Sequence, residues 1–209
     1  MLSAKARARR ARLACAILVN SVDTTFGALY PDTHHDPSCI AYSRVARDTL
    51  RKIGLKADVV PVRLRVATPP AAAHLVAGRE DLAVLGGGTI VRVGGAGRVP
   101  DGRWDGHLVV QVEDHWLLDL TLQQVQRPSQ GIRVGPSVFE LPAPLREHGE
   151  VASFWTPEGV LIWYARDEHL LSYRDARAWS DPAWLAKPLA NSLAQALRLN
   201  NANARIRLG

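Results

Sequence analysis

The sequence predicts an α+β fold in a single domain: a cysteine-bearing helix packed on an antiparallel sheet, with extra helices at the N- and C-terminal ends. Three observations predict it. Residues 57–67 alternate apolar and polar over a full strand length. Residues 107–121 hold two apolar runs separated by Glu113-Asp114, the pattern of a hairpin. Helix-forming stretches cover about 3–27, 39–53 and 181–199, each beside a start or stop signal. A chain of 209 residues, 47% apolar and 22% charged, is long enough to bury one sizeable core. We divide 1–209 into a basic N-terminal helix (1–29), a core (36–128) and C-terminal strands and helix (129–209).

The first helix, 3 to about 27, is rich in Ala, Arg and Leu and free of proline, with Gly27 as its stop. Tyr30 to Ser38 is a loop holding two prolines. The second helix, about 39–53, has Asp36 as candidate N-cap, Pro37 at its first position and Gly54 as its end. In the strand 57–67, Val60, Val62, Leu64 and Val66 face one way while Pro61, Arg63 and Arg65 face the other, and Pro61 predicts a sheet edge. Beyond Pro69-Pro70 a short helix at 71–78 precedes strand pieces over 82–93, broken by Gly86-Gly87-Gly88. No Gly-Lys-Ser/Thr follows those glycines, so they form no phosphate loop, and 68–106 reads as a flexible insertion. After Pro128 comes a loop-rich stretch, then strands at about 150–155 and 159–165. The last helix starts at Asp181-Pro182, with Trp184, Leu185, Leu189, Leu193 and Leu197 as its apolar positions.

The net charge of +6 is local. Lys5, Arg7, Arg9, Arg10 and Arg12 lie in the first twelve residues without an acid; taking those five from the 26 basic residues leaves 21 against 20 acidic ones. Such an arm, residues 1–12, can grip nucleic acid or an anionic membrane, and it is equally what a solvated helix start looks like. No second basic cluster with interleaved aromatics follows, which weighs against nucleic acid. The apolar run Leu13–Val19 is too short for a signal peptide, lacks a cleavage site behind it, and makes Cys15 a poor lipoprotein site. No segment approaches the roughly 20 apolar residues of a membrane span. A cytoplasmic protein is expected.

Two cysteines build no disulfide framework, and no Cys-x-x-Cys pair marks structural zinc. An intracellular cysteine with a histidine and an aspartate further along is instead a nucleophile candidate. Cys39 lies in the first turn of its helix, where unpaired N–H groups and the positive dipole end favour a thiolate and offer a donor to an oxyanion. Its stripe continues through Tyr42, Ala46, Leu50 and Ile53, so the thiol faces the sheet. In the hairpin, with 112–114 as the loop, His107 pairs opposite Asp119 and Val109 opposite Leu117. Parity puts His107, Val109, Gln111, His115, Leu117 and Asp119 on one face. The other face, Leu108, Val110, Val112, Trp116, Leu118 and Leu120, is apolar. Opposed Cβ atoms are about 4.5–5.5 Å apart, close enough for a carboxylate to orient an imidazole. With the Cys39 helix across the His107 face, nucleophile, base and orienting group are complete.

A helix-start cysteine, then a strand opened by Trp104-Asp-Gly-His107, then a strand ending Trp116-Leu-Leu-Asp119-Leu-Thr121, resembles the transglutaminase-like, papain-related superfamily of cysteine proteases and acyltransferases over about 36–128. The resemblance implies a papain/transglutaminase-like core, with Cys39 as nucleophile, His107 as general base and acid, and Asp119 as the orienting carboxylate. It implies a cysteine hydrolase or acyltransferase acting on an amide bond of a peptide or protein substrate, without a cofactor. The superfamily also holds inactive relatives, so a binding module working through its basic N-terminal helix is the alternative. The papain branch carries an oxyanion glutamine before its cysteine. Thr33, His34 and His35 occupy that region here, and Asn20, His35 or the Cys39 backbone remain as donors.

Other residues have plainer readings. Cys15 sits mid-helix without a charged partner and reads as structural. His34 and His35 beside Asp32 and Asp36 have the look of a metal site, but adjacent loop histidines are more often solvated and zinc would need further ligands, so no metal is expected. Asp114 and His115 read as turn residues. Gln123, Gln124 and Arg127 read as a solvated loop beyond Asp119.

Overall fold

The computed structural model describes residues 3–22, 39–79, 87–94, 104–181 and 186–206. Its architecture is mixed α+β, built on an antiparallel sheet. In chain order the elements are α1 (Ala4–Ser21), α2 (Cys39–Lys52), β1 (Ala57–Ala67), α3 (Pro69–Val76), β2 (Ile90–Val93), β3 (His107–Val112), β4 (Trp116–Asp119), β5 (Ser137–Glu140), β6 (Val151–Trp155), β7 (Leu161–Arg166), α4 (Arg177–Ser180) and α5 (Ala186–Ile206). Ser3 caps α1 by accepting a hydrogen bond from the Ala6 N–H at 3.3 Å. The expected cap of α2 by Asp36-Pro37, the stop at Gly27, the glycine break at 86 and the start of the last helix at 182–185 lie outside the described residues.

The strand order is β5-β4-β3-β1-β7-β6, with β2 also paired to β1. The sheet curls until its outer strands meet: Phe139 of β5 stacks on Phe154 of β6 with ring centroids 4.3 Å apart. The alternation of β1 is as expected, with Val60, Val62, Leu64 and Val66 buried inside the curl beside Val109, Leu117, Ile162 and Tyr164. Its position is not. Pro61 predicted an edge, yet β1 lies at the centre, paired with β3 and β2 along one side and with β7 along the other. The reason is local. The Pro61 carbonyl accepts from the Asp167 N–H at 3.0 Å, so Pro61's polar backbone faces the β7 side, and there the β7 ladder has just ended at Val62↔Arg166. A missing donor at that point breaks no ladder bond.

The outer face of the sheet is as apolar as its sequence demands, and the helices cover it. Ala11, Ala14, Cys15 and Leu18 of α1, Tyr42, Val45, Ala46 and Leu50 of α2, and Leu189, Leu193 and Leu197 of α5 pack with Val110, Val112, Trp116, Leu118 and Leu120. Helix α2 therefore lies on the face opposite His107, Val109 and Leu117, not across it as expected: the apolar stripe attracts the amphipathic helix more strongly than the polar one. Strand β5 and the 3₁₀ segment Glu168–Asp175 were not expected. Pro136 and Pro142 disguise a four-residue strand that exists because β4 pairs with it.

Three of the five cations of the basic arm contact their own domain. Arg7 pairs with Glu113 at 2.9 Å, Arg10 donates to the Ile53 carbonyl at 2.9 Å, and the Arg12 guanidinium lies over the Trp116 ring. Among the described residues no helix is long and apolar enough to cross a membrane. Leu118 is 1% exposed at the centre of the helix–sheet contact, so Leu118→Ala is expected to lose about 2–5 kcal/mol of stability. Val76→Ala, at a site 69% exposed, should stay within about 0.5 kcal/mol of wild type. Urea unfolding of both variants compares the two losses.

Candidate active site

The hairpin turn sets the geometry of the histidine–aspartate pair. Glu113 and Asp114 both have positive φ, 52° and 59°, and Val112 pairs with Trp116. The loop is thus 113–115, not the expected 112–114, because Val112 extends the strand and the two acidic residues take the left-handed positions. The ladder runs Val110↔Leu118 and Gln111↔Leu117, a shift of two from the expected register. A shift of two preserves the faces. Continuing the ladder puts Val109 opposite Asp119, with His107 on the diagonal, where neighbours about 7–8 Å apart remain within side-chain reach.

His107 Nε2 lies 2.7 Å from Asp119 Oδ2, and both side chains are almost fully buried. The same carboxyl oxygen accepts from the Tyr164 hydroxyl at 2.9 Å, and Oδ1 accepts from the Thr121 N–H at 2.9 Å. Tyr164 lies on β7, its ring stacked at 6.5 Å from that of His107. A buried carboxylate is stable only when hydrogen-bonded, and here three donors from three segments hold it.

Cys39 approaches the histidine from α2. Helix α2 is pinned to the strand by Ser43, one turn beyond Cys39, whose hydroxyl donates to the Leu108 carbonyl at 3.0 Å. Thus, although the helix covers the outer face, its first residue meets the beginning of β3, where Cys39 packs with Leu108 and acts on the charge of His107. Burial pulls the imidazole toward its neutral form, but the Asp119 charge and hydrogen bond, then the hydrogen bond and charge of Cys39, outweigh it. Together they push the pKa from 6.5 up to about 10. Burial, then the charge and hydrogen bond of Asp119, push Tyr164 well above its ordinary value, so it stays a donor.

The remaining wall is aromatic. Ile40, Leu108 and Tyr173 pack with Cys39, and Trp104 and Trp179 pack against that group. Tyr173 meets Trp104 edge-on at 5.8 Å and Trp179 at 4.9 Å. The Trp104 ring folds so closely over Gly106 that a Cβ there would lie 2.3 Å from it. Arg44 of α2 donates to the Trp179 carbonyl and, at 2.7 Å, to that of Asp181, which ties the C-terminal segment to the cysteine helix. Cys39 is 8% exposed.

Of the three residues singled out from the sequence, His107 and Asp119 are hydrogen-bonded to each other, and Cys39 packs against Leu108, the next residue of β3. No family model, curated protein or solved structure matches this chain. The reading of the site therefore stands on its own geometry.

Cys15, by contrast, is fully buried, and desolvation pushes its thiol up to about 12. The candidate oxyanion donor His35 and the group Asp32, His34, His35 and Asp36 lie outside the described residues. Asp114 is a turn residue paired with Lys56 at 2.7 Å, and Gln123 and Gln124 fall in the 3₁₀ segment Leu122–Val125. A cavity of about 270 Å³ opens between β5 and the β6–β7 turn, but Cys39, His107 and Asp119 do not line it. Sequence reasoning missed Ser43 and Tyr164. The signal for Tyr164 was available: it alternates with Ile162 on a buried strand face, and a buried tyrosine hydroxyl needs a partner.

Two outcomes follow for the carboxylate network. Tyr164→Phe removes one of three donors to a buried acceptor and should lower stability by about 1–3 kcal/mol in urea unfolding. The raised value of His107 also has a definite sign. The stability it contributes is fully present below its unfolded pKa of about 6.5, and it is lost as pH climbs through about 10. The stability gap between wild type and His107→Gln should therefore narrow steadily from about pH 6 to pH 10, and a widening gap would contradict the assignment.

Proposed function

We propose that this protein is a cysteine-dependent hydrolase or acyltransferase of the transglutaminase-like kind, acting on an amide bond of a peptide or protein substrate. The observation that carries the proposal is the buried hydrogen bond of His107 Nε2 to Asp119 Oδ2 at 2.7 Å, beside the point where Cys39 packs on Leu108 of the same strand. In this reading Cys39 Sγ attacks the substrate carbonyl while its proton resides on His107. The tetrahedral intermediate collapses, the C–N bond breaks, and His107 donates its proton to the departing amine. The thioester left on Cys39 is then resolved by water, or by an amine in a transfer reaction, with His107 taking up the nucleophile's proton. The raised His107 value suits a residue that must hold a proton at neutral pH until a leaving group needs it. Asp119, fastened by Tyr164 and Thr121, keeps the ring in one orientation. The Cys39 N–H, at the helix start, is the candidate oxyanion donor.

The binding-module alternative relies on a free basic arm. Arg7, Arg10 and Arg12 are engaged within the domain, so the observations favour the enzyme. The test is the rate of Cys39 alkylation by iodoacetamide across pH, read by mass spectrometry. Wild type should react at neutral pH, His107→Ala far more slowly, and Cys39→Ala not at all at this position. With a turned-over amide substrate, the loss in His107→Ala should be about 10²–10⁴-fold. A Cys39 thiol that reacts only after unfolding would end the proposal.

A further inference from the structure

A second cluster of chemically capable side chains lies apart from Cys39, where β7 runs into the 3₁₀ segment Glu168–Asp175. There His148, Asp167 and His169 each present a ligand atom, and the three atoms lie within 4.8 Å of one another. The chain delivers them by its sheet register. Gly149 donates its N–H to the Arg166 carbonyl at 2.9 Å, and Arg166 donates to the Glu150 carbonyl at 2.9 Å, which sets His148 across from the end of β7. Gly149 takes φ +84°, a left-handed turn that suits glycine. Asp167 caps the 3₁₀ segment, its Oδ1 accepting from the His169 N–H at 3.0 Å.

From this geometry we propose that His148, Asp167 and His169 form a binding site for a first-row divalent transition metal of the Zn²⁺ class. Three features carry it. Asp167 is a buried residue, 8% exposed, and the Arg63 guanidinium forms an ion pair with its Oδ2 at 3.0 Å, which leaves Oδ1 toward the histidines. His148 Nδ1 accepts a long hydrogen bond from the Glu168 N–H at 3.4 Å, which a metal would displace, and lies 3.5 Å from Asp167 Oδ1. That is close to the separation of about 3.3 Å that two ligands take around tetrahedral zinc with bonds near 2.0–2.1 Å. The two imidazoles meet edge-on, with centroids 4.9 Å apart, and both are exposed, so modest rotation closes the set. Two imidazoles and one carboxylate suit Zn²⁺ and its neighbours, whereas Mg²⁺ and Ca²⁺ need more oxygens. Solvent exposure leaves at least one coordination position for water. A bound metal would fasten the turn before β6 to the start of the segment whose far end, Tyr173, packs against Cys39.

The site is tested by titrating Zn²⁺ into the metal-stripped full chain by calorimetry. One equivalent per chain is expected, with His148→Ala and His169→Ala each weakening binding by about 10–100-fold or more. Cys39→Ser should retain the equivalent, which separates this site from the thiol. In wild type, Co²⁺ should give visible d–d absorption without a thiolate charge-transfer band. Failure to saturate, an equivalent that survives both histidine variants, or one lost with Cys39→Ser would overturn the proposal.

Discussion

The arrangement of this protein depends on one buried carboxylate. Asp119 is fully buried, at the end of a short strand inside a curled sheet. A group of this kind is strongly unfavourable unless donors surround it. Its donors are Nε2 of His107 on β3, the hydroxyl of Tyr164 on β7 and the backbone N–H beyond its own strand. Strands β3 and β7 are not paired with each other; β1 lies between them. Satisfying Asp119 therefore requires the sheet to curl, and the curl is what brings Phe139 and Phe154 together across its outer strands. Structural need and candidate chemistry coincide in the same atoms.

The two faces of the sheet divide the labour. The outer face carries the apolar residues that hold α1, α2 and α5, and this contact places α2. The inner face carries the imidazole, the carboxylate and the phenol. Cys39 connects the two because it is the first described residue of α2 and meets β3 where the strand begins. The hydrogen bond from Ser43 to Leu108, one residue beyond His107, turns a general helix–sheet contact into a particular alignment. Helix register is set here by a polar bond and helix position by apolar area.

The division explains what was legible in the sequence. The pairing of His107 with Asp119 was legible because each lies in a short, strongly patterned segment whose parity survives small errors. The hairpin register was misjudged by two, and the faces were unchanged. The central position of β1 was not legible, because Pro61 is read locally as an edge signal while its harmlessness depends on where β7 stops pairing. Strand β5 was hidden by its flanking prolines and owes its conformation to β4. The partnership of Tyr164 with Asp119 joins residues 45 apart in sequence, and His148 and Asp167 are brought together only by the β6–β7 register. Local pattern reports faces and elements; pairings across the sheet come from the fold.

The two cysteines make the final point about what burial alone can and cannot do. Both are largely removed from water, Cys15 wholly and Cys39 to 8% exposure. Cys15 has only apolar company, and desolvation pushes its thiol up to about 12, which leaves it an inert piece of the α1 core. Cys39 has the same covalent chemistry and nearly the same shielding, but an imidazole lies beside it, and the same low-polarity surroundings strengthen that contact. The imidazole in turn keeps its proton because Asp119 outweighs the effect of burial. The setting of Cys39 thus depends on Asp119, which lies outside its packing cluster, through a ring whose charge that carboxylate controls.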